Sequence, residues 1–119
     1  MDTSSIVFGF SFKKDVFAIA RESFPGSSTL ISAGVIRELR RLSKNIGKKG
    51  ACAKIGLLSA GSKNVKVDNA NGSVDAWICK AAARYNNAVV ITNDTELHRK
   101  LRLSGASVYK LSRSGILKK

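Results

Sequence analysis

The stretch Ala88-Val89-Val90-Ile91-Thr92-Asn93-Asp94-Thr95-Glu96-Leu97 constrains the fold more than any other. Its first half is short, β-branched and uncharged, the pattern of a strand buried on both faces of a parallel sheet. Its second half is polar and opens a helical run. Asp94 therefore stands at the carboxyl end of a strand, the edge at which open α/β sheets bind ligands.

The rest of the chain repeats that alternation. Thr29 to Ile31, Val65 to Val67 and Ser107 to Leu111 read as further strands. Helices are expected at Asp15 to Glu22, Ala33 to Lys44, about Ala51 to Ala60, Val74 to Tyr85 with Ser73 as N-cap, and Thr95 to Leu103 with Gly105 closing it. Ile6 to Phe10 reads as a strand tip or a frayed terminus. The economical architecture is an α/β, three-layer α/β/α fold with a central, mainly parallel four- to five-stranded sheet. At 119 residues and 44% hydrophobic content, one core is all the chain can bury. The expected organisation is one domain over residues 1–111 and a basic tail over 112–119, either loose or a marginal edge strand.

Four acids fall on the strand-to-helix junctions: Asp2, Glu38, Asp75 and Asp94. In a right-handed parallel arrangement these junctions share one edge, so residues far apart in sequence meet there. At 100° per residue Glu38 and Asp75 border the apolar stripes of their helices, with Arg37, Arg40 and Arg41 turned away. Partly dehydrated carboxylates side by side need a cation, and oxygen-only donors point to Mg²⁺ or Mn²⁺ over zinc. Cys52 and Cys79 form no Cys-x-x-Cys pair and His98 is the single histidine, which removes zinc-site spacing and a disulfide framework. The formal net charge of +13 calls for a polyanionic partner, with RNA first. Arg37, Arg40, Arg41, Lys48, Lys49 and Arg99 are the candidate phosphate clamps. Ile6 to Phe10 is too short to span a bilayer or serve as a signal core, so no membrane role and a cytoplasmic location are expected.

The segments Asp2-Thr3-Ser4, Val35-Ile36-Arg37-Glu38-Leu39, Val74-Asp75-Ala76 and Ile91-Thr92-Asn93-Asp94-Thr95-Glu96-Leu97, in this order, resemble a PIN-domain ribonuclease along essentially the whole chain. The resemblance is nearest to compact archaeal and eukaryotic PIN proteins similar to ribosomal-RNA processing factors. It implies a metal-dependent endoribonuclease that leaves 5′ phosphate and 3′ hydroxyl ends. Asp2, Glu38, Asp75 and Asp94 would be the catalytic, metal-holding cluster, with Thr3, Thr92 and Asn93 as polar support. It further implies pairing into a homodimer and, by branch of the family, an antitoxin or a ribosome-assembly partner. One departure stands out: only Met1 precedes Asp2, where the family places several apolar residues. The first strand then runs unusually from Asp2 into Ile6 to Phe10, or the chain starts upstream.

Plainer readings accompany each residue. Asn93-x-x-Glu96 fits a capping box, Asp94 a charge at a helix dipole, Asp75 a first-turn acid and Glu38 a surface partner of Arg41. His98 reads as a solvated or RNA-facing residue, and Trp77 and Tyr85 as core. Ile46-Gly47-Lys48-Lys49-Gly50 resembles the Gly-x-x-Gly loop of KH domains, which grips a nucleic-acid backbone without cutting it. A non-catalytic RNA-binding module, degenerate PIN or KH-like, is therefore the alternative to the nuclease.

Overall fold

The computed structural model describes residues 1–70 and 72–119. In chain order it contains α1 (Thr3–Ser11), α2 (Val16–Ser23), β1 (Leu30–Ser32), α3 (Ala33–Ser43), α4 (Lys48–Ser62), β2 (Lys66–Asp68), α5 (Val74–Arg84), β3 (Val89–Ile91), α6 (Thr95–Leu103), β4 (Ser107–Leu111) and β5 (Leu117–Lys118). The α/β alternation holds, but the single large sheet does not. β1 pairs with β2 in parallel, β3 pairs with β4 in parallel, and β5 adds to β4 antiparallel. These are two small sheets, of two and three strands.

What lies between them explains the split. The Met1 amino group donates to Leu30 O and the Asp2 N–H donates to Ile91 O, both at 3.4 Å. Two residues thus occupy the place where a full strand would fuse the half-sheets. Beside them runs a channel of about 450 Å³ lined by Leu30, Trp77, Ile78, Ala81 and Val89 among others. The Met1 amine is buried there, and burial pushes its pKa below the ordinary 8.0.

The expected strand from Asp2 into Phe10 is instead α1. Asp2 is its N-cap, its carboxylate accepting from the Ser5 N–H at 3.2 Å, and a satisfied first turn favours helix over an unpaired strand. α1 lies close against α4: a Cβ on Gly56 would come within 2.8 Å of Ile6 Cγ2. The helix expected at about Ala51 to Ala60 is longer at both ends, since α4 runs from Lys48 to Ser62 with Gly47 as its cap. Gly50 is helical and pressed so close to the preceding turn that a Cβ would stand 1.9 Å from Asn45 O. Tertiary packing overrides the low helix propensity of these glycines.

Ile6, Phe17, Ile31, Val35, Leu39, Ile78, Ile91, Leu101 and Leu111 form the core, joined by Trp77. The indole N–H of Trp77 donates to Asp68 Oδ2 at 3.0 Å. Tyr85, expected beside it, is 44% exposed, because α5 ends at Arg84 and Tyr85 takes an extended cap conformation. The tail contributes β5 at its end. His98, expected to face solvent, is buried, with α6 packed on β4 and Nε2 unpartnered among the described residues. Burial, then Lys110 and Arg102, hold its pKa below the ordinary 6.5.

A depressed histidine pKa means that the unfolded chain takes up the proton first, so stability is present above pH 6.5 and is lost as pH falls below it. Urea midpoints measured from pH about 7 down to about 5 will fall in the wild type and fall less in His98→Leu. Gly56→Ala, which overpacks the contact with Ile6, is expected to cost about 1–3 kcal/mol. Gly61→Ala, where a Cβ meets nothing within 4 Å, is expected to gain about 0.5–1 kcal/mol. The same denaturation experiment reads both.

Candidate active site

Three of the four acids singled out above stand at helix starts. Asp2 caps α1, Asp94 caps α6 with Oδ1 accepting from the Leu97 N–H at 3.0 Å, and Asp75 lies in the first turn of α5 behind its cap Ser73. The amino ends of helices carry partial positive charge, so each position favours an anion. Glu38 is half-buried, in the second turn of α3.

Asp2 is the most firmly held. It is 4% exposed. Thr92 Oγ1 donates to its Oδ2 at 2.5 Å, and the Ser4 hydroxyl donates to both carboxylate oxygens at 3.0 and 2.9 Å. The fully buried Thr92 oxygen also accepts from the Asp94 N–H at 3.1 Å, while Ser4 Oγ accepts from the Asn93 N–H at 3.0 Å. Two hydroxyls therefore tie the first acid to the turn that carries the fourth.

Asp75 is exposed yet feels the others. Burial, and then in order the charges of Asp94, Asp2 and Glu38, raise its carboxyl above the ordinary 3.8, with Lys100 opposing. Four carboxylates from separate parts of the chain thus lie within electrostatic reach at one place. A shallow cleft of about 250 Å³ runs from Asp75 along α6, past Glu96, Arg99 and Lys100. Among the described residues, no three acidic, histidine or cysteine side chains stand close enough to enclose a cation as they are. The donor chemistry nonetheless fits a hard ion: all four groups are carboxylates, and Mg²⁺ habitually keeps several waters between itself and its protein ligands.

The supporting residues divide. Thr92 touches Asp2 directly. Asn93 does not touch the acids: its amide donates to Leu111 O at 2.9 Å and accepts from Leu111 N–H at 3.1 Å, clamping the turn onto β4. Thr3 Oγ1 is buried without a partner among the described residues. The expected capping box is absent, since Asp94 is the cap and Glu96 pairs outward with Arg99 at 3.2 Å. That pair is exposed on both sides and contributes little. Among the described residues Glu38 has no ion pair with Arg41 or any other cation. Arg37, Arg40, Arg41, Lys48 and Lys49 are exposed, and Lys48 and Lys49 belong to the first turn of α4 rather than to a loop. Ser5 was not legible as a site residue. The one available signal was the run of hydroxyls directly after Asp2.

Comparison with known proteins bears on this arrangement. A family model described as a PIN-like domain matches residues 1–114. The chain is also 34% identical over 109 residues to a protein named Ribonuclease VapC9 from Archaeoglobus fulgidus, the match spanning 91% of this chain and 78% of that protein.

A raised carboxyl pKa means that ionised Asp75 opposes folding, so its protonated form stabilises below pH 3.8 and that stabilisation is lost as pH rises through the raised value. Asp75→Asn is therefore expected to unfold at a higher temperature than wild type at pH about 7 in the presence of a chelator. At pH about 3 the difference will shrink. Thermal unfolding followed by circular dichroism reads both.

Proposed function

The chain belongs to the PIN-like domain family, and from that premise we propose that it is a metal-dependent endoribonuclease of the toxin type, cutting RNA at the notch formed by Asp2, Glu38, Asp75 and Asp94. The observation that carries the reading is the charge felt at Asp75 from three acids on three other segments. Structural carboxylates are paired or solvated separately; acids gathered against one another mark a place where a cation is to be held. The similarity to a protein named as a VapC ribonuclease supports an RNA substrate and an antitoxin partner over a ribosome-assembly role.

In this reading Asp75, Asp94 and Glu38 hold a Mg²⁺ or Mn²⁺ ion, and Asp2 fixes the floor of the site through Thr92 and Ser4. The ion, when bound, supplies a water of lowered pKa and charge to balance the leaving oxygen. The chain itself positions the substrate: Lys100 and Arg99 lie along the cleft beside Asp75, where a phosphodiester would sit, and Arg37, Arg40 and Arg41 extend the positive surface. Water adds to phosphorus, the bond to the 3′ oxygen breaks, and that oxygen takes a proton, leaving a 5′ phosphate and a 3′ hydroxyl. No side-chain nucleophile is needed.

The test is cleavage of a labelled single-stranded RNA under Mn²⁺ or Mg²⁺ titration. Cleavage is expected to stop with chelator and to fall by roughly a hundred-fold or more in Asp75→Asn and Asp94→Asn, while RNA binding persists. Cleavage that ignores chelator and both substitutions refutes the proposal, and metal-independent RNA binding without cutting would assign the chain to the non-catalytic alternative.

A further inference from the structure

A second surface, built by three segments the acid site does not use, has the composition of a nucleotide seat. Phe12 caps the end of α1 and is 38% exposed, an unusual position for a phenylalanine. Phe8 packs on it at 4.9 Å between ring centroids, holding it in place. Lys48 Nζ, from the start of α4, lies over the ring at 5.7 Å from its centroid, and Arg113 Cζ, from the turn between β4 and β5, lies over it at 5.6 Å, so a stacking base would exchange these cation–π contacts for its own and release both cations to phosphates. Lys13, next in sequence, is exposed, and Lys14 packs beside Gly115 of that same turn. Lys49 follows Lys48 on the outside.

This cluster of like charges has no ion pair among the described residues. The nearest acid in sequence, Asp15, is engaged elsewhere: it accepts from the Phe17 and Ala18 N–H groups and from Ser59, and pairs with Lys63 at 3.1 Å. Lys48 and Arg113 stand over one exposed residue, with Lys13, Lys14 and Lys49 adjoining them in the chain, and like charges set so close repel one another unless a polyanion joins them. Flat aromatic faces flanked by Lys and Arg are the way single-stranded nucleic acid is held without base-specific hydrogen bonds. In the Gly47-Lys48-Lys49-Gly50 segment Gly47 caps α4 and the next three residues are helical, so Lys48 and Lys49 present their charges from a first helical turn.

We propose that Phe12, Lys48 and Arg113 form an RNA subsite in which an unpaired nucleobase stacks on the Phe12 ring and the two cations hold the flanking phosphates. The inference rests on RNA as the substrate and extends that reading to a second contact point. α1 joins the two sites, Asp2 at its start and Phe12 at its end. Ten residues of helical rise place them about 15 Å apart, roughly four stacked nucleotides at 3.4 Å each. The stacked base is therefore expected about four nucleotides from the cut.

The experiment uses the full chain in chelator, where nothing is cleaved, and a fluorescein-labelled single-stranded RNA of about ten nucleotides read by anisotropy. Phe12→Leu is expected to weaken binding roughly tenfold with an unchanged salt slope, and Phe12→Tyr to bind as wild type. The pair Lys48→Gln with Arg113→Gln is expected to lower the slope of log K against log salt by about 1.4, at about 0.7 per phosphate. An abasic scan of the oligonucleotide is expected to abolish the Phe12→Leu effect at one position only. Unchanged affinity in Phe12→Leu, or a loss that abasic substitution nowhere mimics, overturns the subsite. Because cleavage is not measured, an inactive acid cluster leaves the Phe12 effects intact, and a failed subsite leaves metal-dependent cutting intact, so the two failures are told apart.

Discussion

The structure depends on one buried carboxylate. Asp2 sits almost without solvent between two small sheets, and a dehydrated carboxylate is tolerable only when its oxygens are hydrogen-bonded. Thr92, Ser4 and the Ser5 N–H supply those bonds, and each partner belongs to something the fold needs. Thr92 directly follows β3, Ser4 and Ser5 open α1, and the Asp2 backbone itself bonds to Ile91 O. The Ser5 hydroxyl adds bonds to Asp2 O and Ile91 O. Removing any one donor strands charge in a place water does not reach, at a cost of about 1–3 kcal/mol. The same network that stitches two half-sheets together also fixes where the first acid points.

From there the electrostatics of the molecule follow. The chain carries eight acids against twenty-one basic residues, so its acids are few enough that their placement matters. Four gather at the notch, and two others are neutralised locally, Asp15 by Lys63 and Glu96 by Arg99. The arrangement is a small negative site set in a positive surface. A positive surface attracts polyanions at long range, and a cluster of carboxylates repels their phosphates at short range. In the proposed nuclease, specific placement of substrate and dependence on a divalent ion would be two consequences of one charge distribution.

The α/β alternation was legible in the sequence because burial on both faces leaves a strong signature. The run Val89 to Ile91 followed by Asn93-Asp94 located β3, α6 and the edge between them, and the helical phases of Glu38 and Asp75 put both at the rim of their apolar stripes. The failures share a cause. Ile6 to Phe10 looks like a strand because its residues are apolar and aromatic, and only the capping geometry of Asp2, a three-dimensional fact, decides for helix. Gly47, Gly50 and Gly61 look like punctuation, yet Gly50 and Gly56 lie inside α4 because other parts of the backbone and the Ile6 side chain need the room a Cβ would take. The half-sheets were not foreseen because register between segments distant in sequence is set by which neighbour is present, and here the neighbour between β1 and β3 is two residues long. His98 and Tyr85 exchanged expected environments for a similar reason: helical periodicity says which face a residue is on, not which faces are covered.

The placement of the acids shows how carboxylates from distant parts of the chain can be brought into electrostatic reach of one another. Asp2, Asp75 and Asp94 each occupy the first turn or cap of a different helix. Three helix amino ends aimed at one region supply partial positive charge worth about 0.3–1 kcal/mol to each nearby anion. That is less than a bound divalent cation provides, and Asp75 remains shifted upward in spite of it. The dipoles therefore lower the cost of assembling the cluster without satisfying it. In the proposed nuclease, carboxylates so compensated would keep charge for a divalent ion to answer, and the folding of the scaffold and the affinity of the notch would be set by the same three helix starts.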